Sequence, residues 1–253
     1  VPTNLVPVPK TVSGLALWLD STTGLYDATS GGSAVSSNGA AVARWEDQSG
    51  NLRHFTQATA NNQPTLVASG LNGKATLGFD GTNDLLTLSS NSLLRNIAAY
   101  TCFFVRKNKS SVSTLEVNFA SSAGATTIFD FNTQATNRPG LRARRQSANT
   151  LTLLQGSNSQ TTAGTFELWG TLIDHSVTTA TIFKNGTQLA TNTAFLTSGN
   201  SQDTARISSI GAFTAGTQPA DIEVAEILIY ETALSASDRA TIETYLNQKW
   251  AIY

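Results

Sequence analysis

Methionine is absent from these 253 residues, cysteine occurs once and histidine twice. A single cysteine, Cys102, excludes an internal disulfide and any Cys-based metal site. Set in "YTCFFV", it reads as a small buried hydrophobe. Life outside a cell would then rest on a large core and not on covalent staples. Charge is also scarce: 13% of residues are charged, and 16 basic against 17 acidic residues leave a net charge of −1. That balance gives no footprint for duplex nucleic acid or an anionic membrane. No apolar run approaches roughly 18 residues, the length a membrane-spanning helix needs. No P-loop, dinucleotide fingerprint or His-rich metal constellation is present. A start at Val1 without methionine reads as a chain whose initiator, leader or upstream region has been removed.

What fills the polar positions is Ser, Thr, Asn and Gln, a usage that suits extracellular, cell-surface or virion proteins. The length fits one large all-β domain, or one domain with an arm. "VPTNLVPVPK" carries Pro2, Pro7 and Pro9, so residues 1–13 read as an extended arm or linker. Residues 14–253 form the domain proper. After "GLALWLD" and a loop over residues 27–40, short apolar strands recur about every 8–15 residues between turn signals. No helix separates them, which indicates an antiparallel sandwich or barrel. In "TATIFKNGTQLAT", Asn185-Gly186 is a two-residue hairpin turn. One helix is expected, at the end. Ser235 and Asp238 form a capping box whose side chains serve the amides of the helix start. Ile242, Tyr245, Leu246 and Trp250 follow as an apolar stripe facing the sandwich.

The segments "LALWLD", "VARWEDQSGNLRHFTQ", "NGKATLGFDGTNDLL", "IFKNGTQL" and "VAEILIYETALSASDRATIETYLNQKW" together resemble the concanavalin A-like lectin/glucanase superfamily. Within it, they resemble the laminin-G-like jelly-roll domains of bacterial surface and phage virion proteins. The resemblance runs from about Leu15 to Trp250. It implies an all-β, antiparallel jelly-roll β-sandwich with a short C-terminal helix, and leaves function open, because this fold hosts lectins, adhesion modules, glycosidases and lyases.

Candidate chemistry is of three kinds: catalysis, metal binding and ligand binding. "DIEVAEILIY" holds Asp221, Glu223 and Glu226, similar to the acid-bearing strand of hydrolases with this fold. Retaining hydrolysis needs two carboxyl groups about 5–5.5 Å apart on one face. Strand alternation puts Asp221 and Glu223 on one face and Glu226 on the other unless a bulge intervenes. Asp221 and Glu223 are therefore expected on a solvated face, with Glu226 structural. His54 and His175 fit no lyase pattern and are expected at exposed turns. In "FDGTND", Asp80, Gly81 and Asn83 make a turn, and a calcium role for Asp80 and Asp84 is the lesser reading, no cofactor being otherwise implied. Trp18, Trp45 and Trp169 are expected in the core.

The third candidate is a binding patch. "TIFDFN" and "GLRARRQ" read as hairpin neighbours whose polar sides bring Asp130 and Asn132 beside Arg142 and Arg144. Such a patch offers carboxylate and amide groups to sugar hydroxyls, and guanidiniums to acidic substituents. The sequence thus points to a non-catalytic recognition module for a glycan or cell-surface receptor, within a larger surface or virion protein. Its rival is a structural role among protein subunits of a virion or surface assembly, and an enzyme ranks third. A homo-oligomer is compatible with either of the first two.

Overall fold

A computed structural model describes residues 9–109, 114–121, 129–134, 136–146, 148–202, 206–213 and 216–253. Two antiparallel sheets pack face to face, as the alternating pattern requires. The first runs β15 (Thr187–Asn192), β14 (Thr179–Lys184), β13 (Phe166–Asp174), β8 (Ala99–Asn108), β17 (Asp221–Tyr230), β6 (Lys74–Asp80) and β5 (Thr65–Leu71). β1 (Leu15–Asp20) pairs with the second half of β17, where β6 has ended. The second sheet runs β12 (Thr152–Gln155), β11 (Arg138–Ala143), β10 (Phe129–Gln134), β9 (Thr114–Ser121) and β16 (Arg206–Ile210). It continues through β7 (Leu86–Asn91), β4 (Phe55–Thr56), β3 (Arg44–Trp45) and β2 (Leu25–Tyr26).

Between the sheets lies an aromatic stack. Phe104 lies parallel to Phe131 at 5.4 Å, Phe131 meets Trp169 at 5.6 Å, and Tyr100 meets Phe129 edge-on at 5.6 Å. Trp45 and Cys102 are fully buried there, as expected. β8 and β17 are apolar on both faces because a second layer covers the outer face of their sheet. Phe103, Val105, Ala225, Leu228 and Tyr230 point away from the main core and meet Ile242, Tyr245, Leu246 and Trp250 of α1 (Ala236–Trp250). The helix is capped by Ser235, whose Oγ accepts from the Asp238 amide. The Asp238 carboxylate accepts from the Ser235 hydroxyl and not from a backbone amide, so the expected box is closed on one side only.

The arm expected over residues 1–13 is docked where it is described. Pro9 is buried, its carbonyl accepts from the Tyr230 hydroxyl at 2.9 Å, and Val12 joins the layer under α1. Residues 1–8 lie outside the described residues. The Asn185-Gly186 turn is present, with φ of 48° and 76°.

His175 departs from expectation. It follows β13 at a turn, yet it is fully buried, packed 5.8 Å from the Tyr100 ring. Neither ring nitrogen has a hydrogen-bond partner among the described residues. Burial, with the Arg145 guanidinium adding to it against Asp174, pushes the imidazole down to about 4. The neutral form is thus the folded form, and its contribution is present above the ordinary histidine value of roughly 6.5. It is lost as pH falls from there toward 4. The slope of unfolding free energy against pH in that window is expected to flatten in His175→Phe, measured by denaturant titration, and an unchanged slope would remove His175 as its source. For the helix layer, Trp250→Ala is expected to destabilise the fold by about 3–5 kcal/mol, read from the same titrations.

Candidate functional site

The first sheet's outer face carries α1, so the outer face of the second sheet is the broad face that no described helix covers. Register across its strands aligns Arg142 with Asp130, then through β9 with Ser209, Thr87, Thr56 and Arg44. The facing residues of β10 and β11 on the other side are Phe129, Phe131, Leu141 and Ala143, all buried in the core. Alternation therefore yields one polar row on an otherwise apolar hairpin.

β10 and β11 are hairpin neighbours, and they bring Asp130 and Arg142 directly opposite each other. The Arg142 Nε donates to both Asp130 oxygens, at 2.9 and 3.1 Å. Asn132 Nδ2 donates to Asp130 Oδ1 at 2.6 Å. The patch differs from a solvated one: Asp130 is 0% and Asn132 2% exposed. Ser209 donates to the Ala212 carbonyl at 2.6 Å and the Phe213 ring lies 5.9 Å from the Arg142 guanidinium, so the segment after β16 leans over the middle of the row. What faces solvent is cationic. Arg142 is 27% exposed, and its terminal nitrogens make no hydrogen bond to the described residues. Arg144 is half-buried, with one terminal nitrogen 3.4 Å from the Asn149 carbonyl. Burial and the nearby Arg206 guanidinium lower its pKa, with Asp130 opposing them. Burial lifts the Asp130 carboxyl to about 6, against Arg142, Asn132 and Arg144. Asp130 thus acts as a buried brace that fixes Arg142 with its fork outward. Arg206 and Phe213 were not legible as neighbours of this patch, since β16 and β10 are far apart in the chain.

The acids of β17 are arranged differently from the alternation argument. The register against β8 shifts at Val224–Glu226, and this bulge turns Glu226 onto the same outer face as Glu223. Glu223 is buried and not solvated, accepting from Thr76 at 3.0 Å and pairing with Lys107 at 2.6 Å. Asp221 pairs with Lys109 at 2.9 Å. Glu226 lies wholly under α1 and accepts from Trp18, Tyr245, Trp250 and Lys249, at 2.7, 2.9, 2.6 and 2.7 Å. Each acid is engaged by side chains of neighbouring elements.

At the "FDGTND" turn, Asp80 Oδ1 accepts from the Thr82 and Asn83 amides and Asp84 Oδ2 accepts from the Asp80 amide. These carboxylates accept from the turn's own backbone amides, as the turn reading requires. No group of three or more metal-donor side chains occurs among the described residues. A separate cleft of about 400 Å³ opens at the far edge, between β2 and β5, lined by small and hydroxyl-bearing residues such as Ser21, Thr23, Tyr26 and Ala68.

No family model matches the sequence, and no curated protein is similar to it in sequence. Solved structures match the fold. Trypanosoma rangeli sialidase in complex with sialic acid superposes with a TM-score of 0.60 at 14% identity, over 96% of this chain and 34% of the sialidase chain. The binding domain of Paraclostridial Mosquitocidal Protein 1 superposes with a TM-score of 0.64 at 14% identity, over 95% of this chain and 54% of that one. The chain therefore spans about a third of the sialidase and about half of the mosquitocidal-protein chain. It has the all-β, lectin-like sandwich fold that these proteins contain.

Proposed function

We propose that the domain is a non-catalytic recognition module that binds glycans displayed on a cell surface, as part of a larger extracellular or virion protein. The observation that carries this reading is Arg142, held by a fully buried carboxylate and presenting its outer nitrogens on a sheet face that no described helix covers. A planar, pre-oriented guanidinium suits the carboxylate or sulfate of an acidic sugar. Arg144 adds a second cation and Phe213 an apolar ring beside it. Asp130 and Asn132 position Arg142 and do not touch the ligand, because both lie beneath the surface. Proteins of similar fold include a sialidase bound to sialic acid and the binding domain of a mosquitocidal protein, which supports the reading without carrying it.

Assembly through a broad apolar face has less support. The large hydrophobic residues exposed among the described ones are Leu52, Leu153, Val177 and Tyr253, which sit in four separate segments, only Leu153 on a strand. Hydrolysis has less still, since the acids of β17 are paired with lysines or sealed beneath α1.

The test is an array of sialylated, uronate-bearing, sulfated and neutral glycans, followed by titration of the best ligand. Arg142→Ala would strand Asp130, so Arg142→Lys is the informative change: it keeps the cation and loses the fork. Combined with Arg144→Ala, it is expected to leave the fold intact and weaken binding tenfold or more, about 1.4 kcal/mol. The salt dependence of binding should fall with it, as exposed charge pairing is screened within about 10 Å at 0.1 M salt. Affinity indifferent to both changes would move the site to the loops, and a silent array would remove the glycan reading.

A further inference from the structure

We propose that the folded chain forms an intramolecular amide bond between Lys249 Nζ and Asp20 Cγ, with Glu226 carrying the proton. The three residues come from α1, β1 and β17. Asp20 and Glu226 stand directly opposite each other across paired strands, where like charges repel. Lys249 reaches into the gap, its Nζ 2.5 Å from Asp20 Oδ2 and 2.7 Å from Glu226 Oε2. The two Asp20 oxygens are differently placed. Oδ1 accepts from the Thr22 amide at 2.9 Å and the Thr22 hydroxyl at 2.7 Å, while Oδ2 faces the amine. That is the arrangement acyl transfer needs: one oxygen held by two donors where negative charge develops, the other set to leave.

Surroundings favour the neutral product. Lys249 Nζ lies 5.0 Å from the Trp250 ring and 5.7 Å from the Tyr245 ring, and Glu226 is fully enclosed. In such a site an ion pair bears a desolvation penalty that an amide does not. The fixed geometry replaces a bimolecular encounter with an effective concentration on the order of 10⁵ M or more. Burial also holds the Glu226 carboxyl above the usual carboxylate range, against Lys249, which suits a group that must gain and release a proton.

The atoms balance. One proton passes from the Lys249 ammonium to Asp20 Oδ2, giving a neutral amine and a carboxylic acid. The Nζ lone pair attacks Cγ, and the Oδ1 charge is held by Thr22. Glu226 takes a second proton from Nζ and delivers it to Oδ2. The Cγ–Oδ2 bond breaks, water leaves, and Glu226 returns to its starting state. No oxidant, metal or co-reactant is required. Other lysine–carboxylate pairs lack these parts: Lys109–Asp221 and Lys107–Glu223 are more exposed, and Lys184–Glu167 has no second carboxylate among the described residues. The bond would join positions 229 apart, tying the first strand to the last helix in a chain whose single cysteine cannot supply an internal disulfide.

Intact-mass spectrometry of the purified, folded chain tests this directly. The expected mass is that of the sequence less one water. In a tryptic digest, the peptide bearing Asp20 should travel joined to the one bearing Lys249, with no cleavage after Lys249. Lys249→Arg should restore the full mass. Asp20→Asn should lose ammonia instead of water and arrive at the same final mass as the natural chain. Full unmodified mass after prolonged incubation of the folded chain, with the two peptides recovered separately, would overturn the proposal. Glu226→Gln, if it folds, should stop the reaction, and crosslinking at the natural rate would remove Glu226 from it. The natural chain and Asp20→Asn decide the bond itself if Glu226→Gln does not fold.

Discussion

A carboxylate buried with no water around it is unfavourable unless donors surround it, and Glu226 meets that condition with groups drawn from three elements. Trp18 comes from β1, Tyr245, Lys249 and Trp250 from α1, and the acid itself from β17. None of these contacts can form until the first strand, the last strand and the terminal helix are assembled. The helix depends on the sheet for its apolar stripe, and the sheet depends on the helix to cover Leu228, Tyr230 and Phe103. The Glu226 cluster fixes how they meet, because a shift of one residue would leave a buried charge without its partners, at several kcal/mol.

That constraint makes the two sheets unequal. The first is covered outside by α1 and by residues 9–12, and its central strands are apolar on both faces. The second carries no helix outside among the described residues, and its polar row ends at a cation raised on a buried acid. The proposal of recognition rests on the second sheet for this reason. Catalysis by the carboxylates of β17 is disfavoured on the same grounds: the acids sit on the covered sheet, where lysines and tryptophans occupy them.

Asp130 and Glu226 apply one physical rule to different ends. Each is a buried carboxyl lifted by desolvation and offset by a cation beside it. Around Glu226 the donors close the space completely. Around Asp130 they stop at Arg142, whose outer nitrogens look toward solvent.

Local pattern was enough for much of the fold. Alternation located the β strands, Asn185-Gly186 set a hairpin, Ser235 started the helix, and its stripe of Ile242, Tyr245, Leu246 and Trp250 is buried as the spacing requires. These features depend on neighbours in sequence, where backbone geometry alone selects the side chain. The pairing of Asp130 with Arg142 was legible for the same reason, since one short hairpin holds both. Burial of Asp130, Glu223 and His175 was not, because exposure depends on what the rest of the chain lays over a residue. The bulge at Val224–Glu226 turned Glu226 to the helix side, and alternation could not foresee it. The meeting of Asp20, Glu226 and Lys249 was farthest from the sequence. Its members stand 229 positions apart at their widest, and only the closed sandwich brings an amine within bonding reach of two acids.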